Sequence, residues 1–68
     1  MQVGKAIKEI RRSKNLKQTV IADCIGISHT AYSDIERGKT SHITLQRLEQ
    51  IATALDVSII TIILTAIG

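Results

Sequence analysis

The stretch "IGISHTAYSDIERGKT", residues 25 to 40, concentrates side chains that make directed hydrogen bonds. Ser28, His29 and Thr30 follow one another, and Ser33 and Asp34 come one helical turn later. On a helix this spacing gathers hydroxyls, an imidazole and a carboxylate on neighbouring turns. The set does not make a hydrolytic site. Ser33 and Asp34 are adjacent and point in different directions, and no base is positioned beside either hydroxyl. Nor does it make a metal site, because Cys24, His29 and His42 lack the paired spacing of zinc ligands. No enzyme, cofactor or metal is expected. A mixed row of donors and acceptors at the head of a helix is instead suited to reading the polar edges of another molecule.

The elements that must position this row are short and helical. The chain has 68 residues, no proline and one aromatic residue, Tyr32. Ala, Ile, Leu, Lys, Gln and Glu dominate, which favours an all-α fold over an all-β one. At this length one domain, residues 1 to 68, buries only about 60% of its unfolded surface, so help from a second subunit is in keeping. Val3, Ile7 and Ile10 alternate with Lys5, Lys8 and Arg12, predicting an amphipathic first helix to about Lys14. A second helix is predicted from Gln18 to Cys24 or Ile25, with Ile21, Ala22 and Ile25 inward, ending at Gly26. Ser28 caps a third helix that runs to Glu36 and ends at Gly38. Thr44 caps a fourth with Leu45, Leu48, Ile51, Ala52 and Leu55 as its stripe, and Ser58 caps a fifth segment. No repeat or low-complexity tract is present.

Charge is distributed unevenly. The formal net charge is +3, and six of the nine basic residues (Lys5, Lys8, Arg11, Arg12, Lys14, Lys17) lie in the first 17 positions, whereas no charge follows Asp56. A basic side facing a polyanion and an apolar side facing protein fit this asymmetry. A lone Cys24 and the lack of an apolar h-region in "MQVGKAIKEIRRSKN" point to a cytoplasmic protein. The apolar "SIITIILTAIG" is about half of the roughly 20 residues that span a bilayer, so it is expected to bury itself against protein and not membrane.

Two short helices joined by a tight turn with glycine, the second opening on small polar residues, have the layout of a DNA-binding helix-turn-helix. Ala22 is small enough for the crossing of the two helices, Gly26 permits the turn, and Ile21, Ile27 and Ile35 anchor the unit. The chain resembles the Cro and phage-repressor (lambda repressor-like, XRE) regulators at this point. "GKAIKEIRRSKNLKQTVIADCIGISHTAYSDIERGKT" follows the family's "GKxIxxLRxxxxLxQxxLAxxxGxSxxxIxxIExGK", and "TLQRLEQIATALDVS" is similar to its fourth helix and following turn. The resemblance covers roughly positions 3 to 63.

It implies a five-helix domain in which helices two and three form the helix-turn-helix, and the following roles. Ser28, His29, Thr30, Ser33 and Asp34 stand at or beside base-reading positions. Gln18, Lys39 and Thr40 match residues that contact backbone phosphate, and Tyr32, in a place usually aliphatic, is expected to turn its hydroxyl to water or phosphate. Arg11 and Glu36 match an ion pair tying helix one to the end of helix three. The chain departs from the family at Lys17, where a serine or threonine cap is usual, and at Val20 and Cys24, where polar residues are usual. The expected function is regulation of transcription by occupying an operator in double-stranded DNA, with no small-molecule ligand. Whether this activates or represses is open. The alternative reading is an antitoxin or adaptor that uses the same fold to capture another protein.

Residues 58 to 68 are read as a dimerisation segment. As a helix, Ile59, Ile62, Ile63 and Ala66 form one stripe for the domain core. Ile60, Leu64 and Ile67 form a second, for which one small domain has no room. A homodimer and an inverted-repeat operator follow. The β-branched content leaves a strand pairing across the dimer as the alternative.

Overall fold

Serine and threonine set the starts of three helices. In a computed structural model, which describes residues 2–40 and 42–68, the chain forms α1 (Val3–Ser13), α2 (Gln18–Ile25), α3 (His29–Glu36), α4 (Leu45–Ala54) and α5 (Ile59–Ile67). The hydroxyls of Ser28, Thr44 and Ser58 accept the amides of Ala31, Arg47 and Thr61, each satisfying a donor that the first helical turn leaves free. Lys17 heads α2 with no side-chain cap.

The ends of α1 to α4 share one device. At each, a residue of positive φ lets two amides turn back onto the last carbonyls: Asn15, Gly26, Gly38 and Asp56. After α3, Gly38 donates to Ile35 and Lys39 to Asp34. The two glycines adopt this conformation freely, whereas Asn15 and Asp56 are non-glycine residues in it. The sequence signalled the first two and not the others.

α1 packs against α5 and α3, α2 against α3 and α4, and α4 against α5. They enclose a core of Ala6, Ile7, Ile10, Ile21, Ala22, Tyr32, Ile35, Leu48, Ile51, Ala52, Leu55 and Ile62. Ile25, Ile27 and Ile59 pack against its margin. Two expectations are corrected. Leu45 is 65% exposed, because it is the first residue of α4 and lies beyond the stripe that faces the core. Tyr32 is wholly buried, as an aliphatic residue there would be, so its hydroxyl reaches no phosphate.

Gly4 fixes the approach of α1 to α3. A methyl group on it would collide with the backbone carbonyl oxygens of Ile35 and Glu36. Only a residue without a side chain lets α1 pass so close to the end of α3. The C-terminal segment is helical, which decides between the two forms left open for it. Ile62 is fully buried and Ile59, Ile63 and Ala66 partly so, while Ile60, Leu64 and Ile67 are 61%, 63% and 68% exposed. No single helix among the described residues is long and apolar enough to cross a membrane.

Candidate nucleic-acid interface

α2, the αL turn at Gly26 and α3 make the helix-turn-helix, and the outer face of α3 carries the polar row. His29, Thr30, Ser33 and Asp34 line a shallow hollow of about 200 Å³ together with Arg37. His29 and Thr30 are exposed, and Ser33 and Asp34 are half-buried. Ser28 stands at the edge with its hydroxyl already engaged as the cap of α3. Lys39 and Thr40 follow as exposed residues beyond the Gly38 turn.

Arg37 was missed in the sequence, although it lies one helical turn beyond Ser33 and so on the same face. Arg37 adds a cation to the hollow that Asp34 also lines.

Behind this face lies a buried polar chain. Arg11 Nε donates to Glu36 Oε2 at 2.7 Å and Nη2 donates to Oε1 at 3.2 Å, a two-pronged pair between α1 and the last residue of α3. Arg11 Nη1 donates to the Leu16 carbonyl at 2.6 Å, which ties the α1–α2 loop to the same guanidinium. Gln18 Nε2 donates to Glu36 Oε1 at 2.9 Å, and Gln18 Oε1 lies 2.8 Å from His29 Nε2. The family resemblance implied that Arg11 pairs with Glu36; that Gln18 continues this pair outward to His29 had no local signal, since the partners are 11 and 18 positions apart.

Burial pushes the Glu36 carboxyl towards its neutral form. The hydrogen bonds from Arg11 and Gln18 and the neighbouring Tyr32 phenol outweigh that, and Glu36 titrates below the usual carboxylate range. Burial and the adjacent carboxylate push the Tyr32 phenol up, so it stays protonated. Its hydroxyl lies near Glu36 without a partner in hydrogen-bonding geometry. Among the described residues no three His, Cys, Asp or Glu side chains gather as a metal site would require.

Residues 7–62 match the family model described as helix-turn-helix. The ImmF control region 10 kDa protein of Bacillus phage phi105 is 45% identical over 49 residues, 69% of this chain and 54% of that protein. The HTH-type transcriptional regulator SinR of Bacillus subtilis is 31% identical over 61 residues, 90% of this chain and 55% of SinR. The chain thus spans about half the length of these relatives. Among solved structures, the restriction-modification controller protein C.AhdI of Aeromonas hydrophila superposes with a TM-score of 0.82 at 28% identity, covering 90% of this chain and 91% of that one. SinR, the master regulator for biofilm formation, in complex with DNA gives 0.79 at 31% identity, covering 90% and 97%.

Proposed function

The chain belongs to the helix-turn-helix family, the Cro and lambda-repressor type of DNA-binding transcription regulators, and from that premise we propose that it binds an operator in duplex DNA as a homodimer. The observation that carries this reading is the outer face of α3. His29, Thr30, Ser33 and Asp34 stand together at the surface, on a helix whose far end is clamped to α1 by Arg11 and Glu36. A rigid helix with a polar outer row is what reading base edges in a major groove needs. Lys39, Thr40, the amides at the head of α2 and the second N–H of the Gln18 amide flank it and supply phosphate contacts.

The dimer rests on Ile60, Leu64 and Ile67. Burying these three on each protomer against the partner's three stabilises by about 1.5–3 kcal/mol per side chain at most. Association costs an estimated 4–15 kcal/mol, so the pair is expected to depend on concentration. A two-fold pair sets two α3 helices about 34–36 Å apart, and the operator is then an inverted repeat. Regulation follows from protein concentration and dimerisation, at the site of transcription in a bacterial or phage-infected cell.

Selection of binders from a random duplex library tests the reading. Thr30→Ala and Asp34→Ala are expected to change the ranking of selected sites, each losing about 1–3 kcal/mol on the parent site if it contacts a base. Lys39→Ala should weaken all sites alike. A ranking untouched by both α3 substitutions would show that DNA is read elsewhere or by shape alone.

A further inference from the structure

The polar chain that runs outward from Glu36 has a direction. Glu36 is ionised, with both oxygens facing the Arg11 guanidinium, so it only accepts hydrogen bonds. The Gln18 group 2.9 Å from Oε1 must therefore be the NH₂ end of the amide, since the carbonyl end would set oxygen against oxygen. That leaves Gln18 Oε1, an acceptor without a hydrogen, facing His29 Nε2 at 2.8 Å. A neutral imidazole meets an acceptor only with its N–H, so the proton sits on Nε2 and Nδ1 keeps its lone pair. Among the described residues the His29 ring makes no other hydrogen bond.

We propose that Glu36, acting through Gln18, locks His29 as the Nε2–H tautomer, so that His29 presents Nδ1 to DNA as an acceptor and selects a base that offers an N–H. In the major groove those donors are adenine N6 and cytosine N4, whereas guanine and thymine offer acceptors. His29 is thus a specificity-determining residue, and Gln18 and Glu36 are positioning residues that set its polarity from inside the domain. The inference rests on the DNA-binding reading above and adds the sign of one contact to it. The neighbouring face is consistent with the assignment: Asp34, in the same hollow, is also an acceptor.

Two measurements test it, one without DNA. Long-range proton–nitrogen correlation spectra of the free protein at pH 8 should show the His29 proton on Nε2. In Gln18→Met, which keeps the side-chain length but not the amide, the two tautomers should mix while the circular dichroism spectrum stays helical. A parent spectrum with the proton on Nδ1, or one unchanged by Gln18→Met, overturns the lock. In library selection, the parent should prefer adenine or cytosine over guanine or thymine by about tenfold at one position of each half-site. His29→Ala should flatten that position and spare the others, and Gln18→Met should blunt the same one on top of a uniform weakening from its lost phosphate contact. Enrichment of guanine or thymine there, or a preference that survives His29→Ala, overturns the contact alone. Failure to bind any duplex even at low salt overturns the DNA reading and the contact with it, whatever the free-protein spectrum shows.

Discussion

Removing the Glu36 carboxylate is the sharpest perturbation of this fold. In Glu36→Ala, the Arg11 Nε and Nη2 donors and the Gln18 amide lose their acceptor at once, while Arg11, whose side chain is only 11% exposed, stays in place through its bond to the Leu16 carbonyl. Stranding one member of a buried pair costs about 3–5 kcal/mol. A 68-residue domain has on the order of 3–10 kcal/mol in total at about 0.05–0.15 kcal/mol per residue. Each kcal/mol moves the melting midpoint of so small a domain by about 4–8 °C. The variant should therefore melt at least about 12 °C lower or be unfolded at room temperature, as thermal and urea melts followed by circular dichroism will show. The same carboxylate makes a prediction for acid. Its folded pKa lies below the ordinary 4.5, so the stability it contributes is fully present above about pH 4.5 and is lost as the pH falls through the folded value. Glu36→Gln lacks that titration, and its stability should fall less steeply with acid than the parent's. A midpoint within about 4 °C of the parent for Glu36→Ala, corresponding to less than about 1 kcal/mol, would refute the reasoning.

Three further substitutions probe separate contacts. Gly4→Ala should destabilise by at least about 1–3 kcal/mol, because the added methyl meets backbone oxygens that cannot swing aside, and a melt equal to the parent's would show that α1 can retreat from α3 at no cost. Tyr32→Phe removes a buried hydroxyl without a partner in hydrogen-bonding geometry, which favours the variant, and also removes the phenol that helps keep Glu36 ionised, which opposes it, so stability should change by less than about 1 kcal/mol with DNA affinity unchanged; a larger loss in urea melts would reveal a full hydrogen bond to that oxygen. Leu64→Glu puts a charge in the exposed stripe of α5 and should give a helical monomer that binds an inverted repeat weakly, whereas sedimentation showing the parent itself as a monomer at micromolar concentration would remove the basis for the dimer.

The helices were legible because each carries its own local evidence: the caps at Ser28, Thr44 and Ser58, the glycines at 26 and 38, and the apolar spacing of α1 and α4. What the sequence hid is non-local or depends on rare conformations. Asn15 and Asp56 end their helices in a backbone geometry that glycine usually fills, so the polar Ser13–Lys14–Asn15 stretch signals only that α1 stops and not how, and Asp56 carries no such signal. Leu45 fits the apolar period of α4 but comes before the turn that meets the core, so periodicity alone overextended the stripe. The hydroxyl of Tyr32 suggests a contact with water or phosphate, whereas the area of its ring decides its position: burying an aromatic side chain removes far more apolar surface than one hydroxyl costs. Arg37 carries a readable signal in its one-turn offset from Ser33, although it lies beyond the polar residues at the head of the helix.

The ion pair in the core and the exposed His29 on the outer face of α3 belong to one chain of hydrogen bonds, so the proposed lock would give a marginal domain a use for a buried ion pair. A well-packed apolar pair at positions 11 and 36 could stabilise the domain as well as Arg11 and Glu36 do, since burying two charges loses much of what their attraction gains. Apolar side chains, however, have no polarity to pass on. Only a group that accepts without donating forces the Gln18 amide into one orientation, and only an oriented amide distinguishes the two nitrogens of His29. The same pair holds the end of α3 to α1 while Gln18, on α2, holds its beginning. Both ends of α3 are thereby linked to a single carboxylate. Specificity in direct readout depends on placing donors and acceptors to within a fraction of the length of a hydrogen bond, and a helix of only eight residues cannot achieve that by packing one apolar face. The proposed lock thus gives the ion pair a part in orienting α3 beside its part in stability, and an apolar pair at positions 11 and 36 that kept the melting midpoint while blurring the site preference would separate the two.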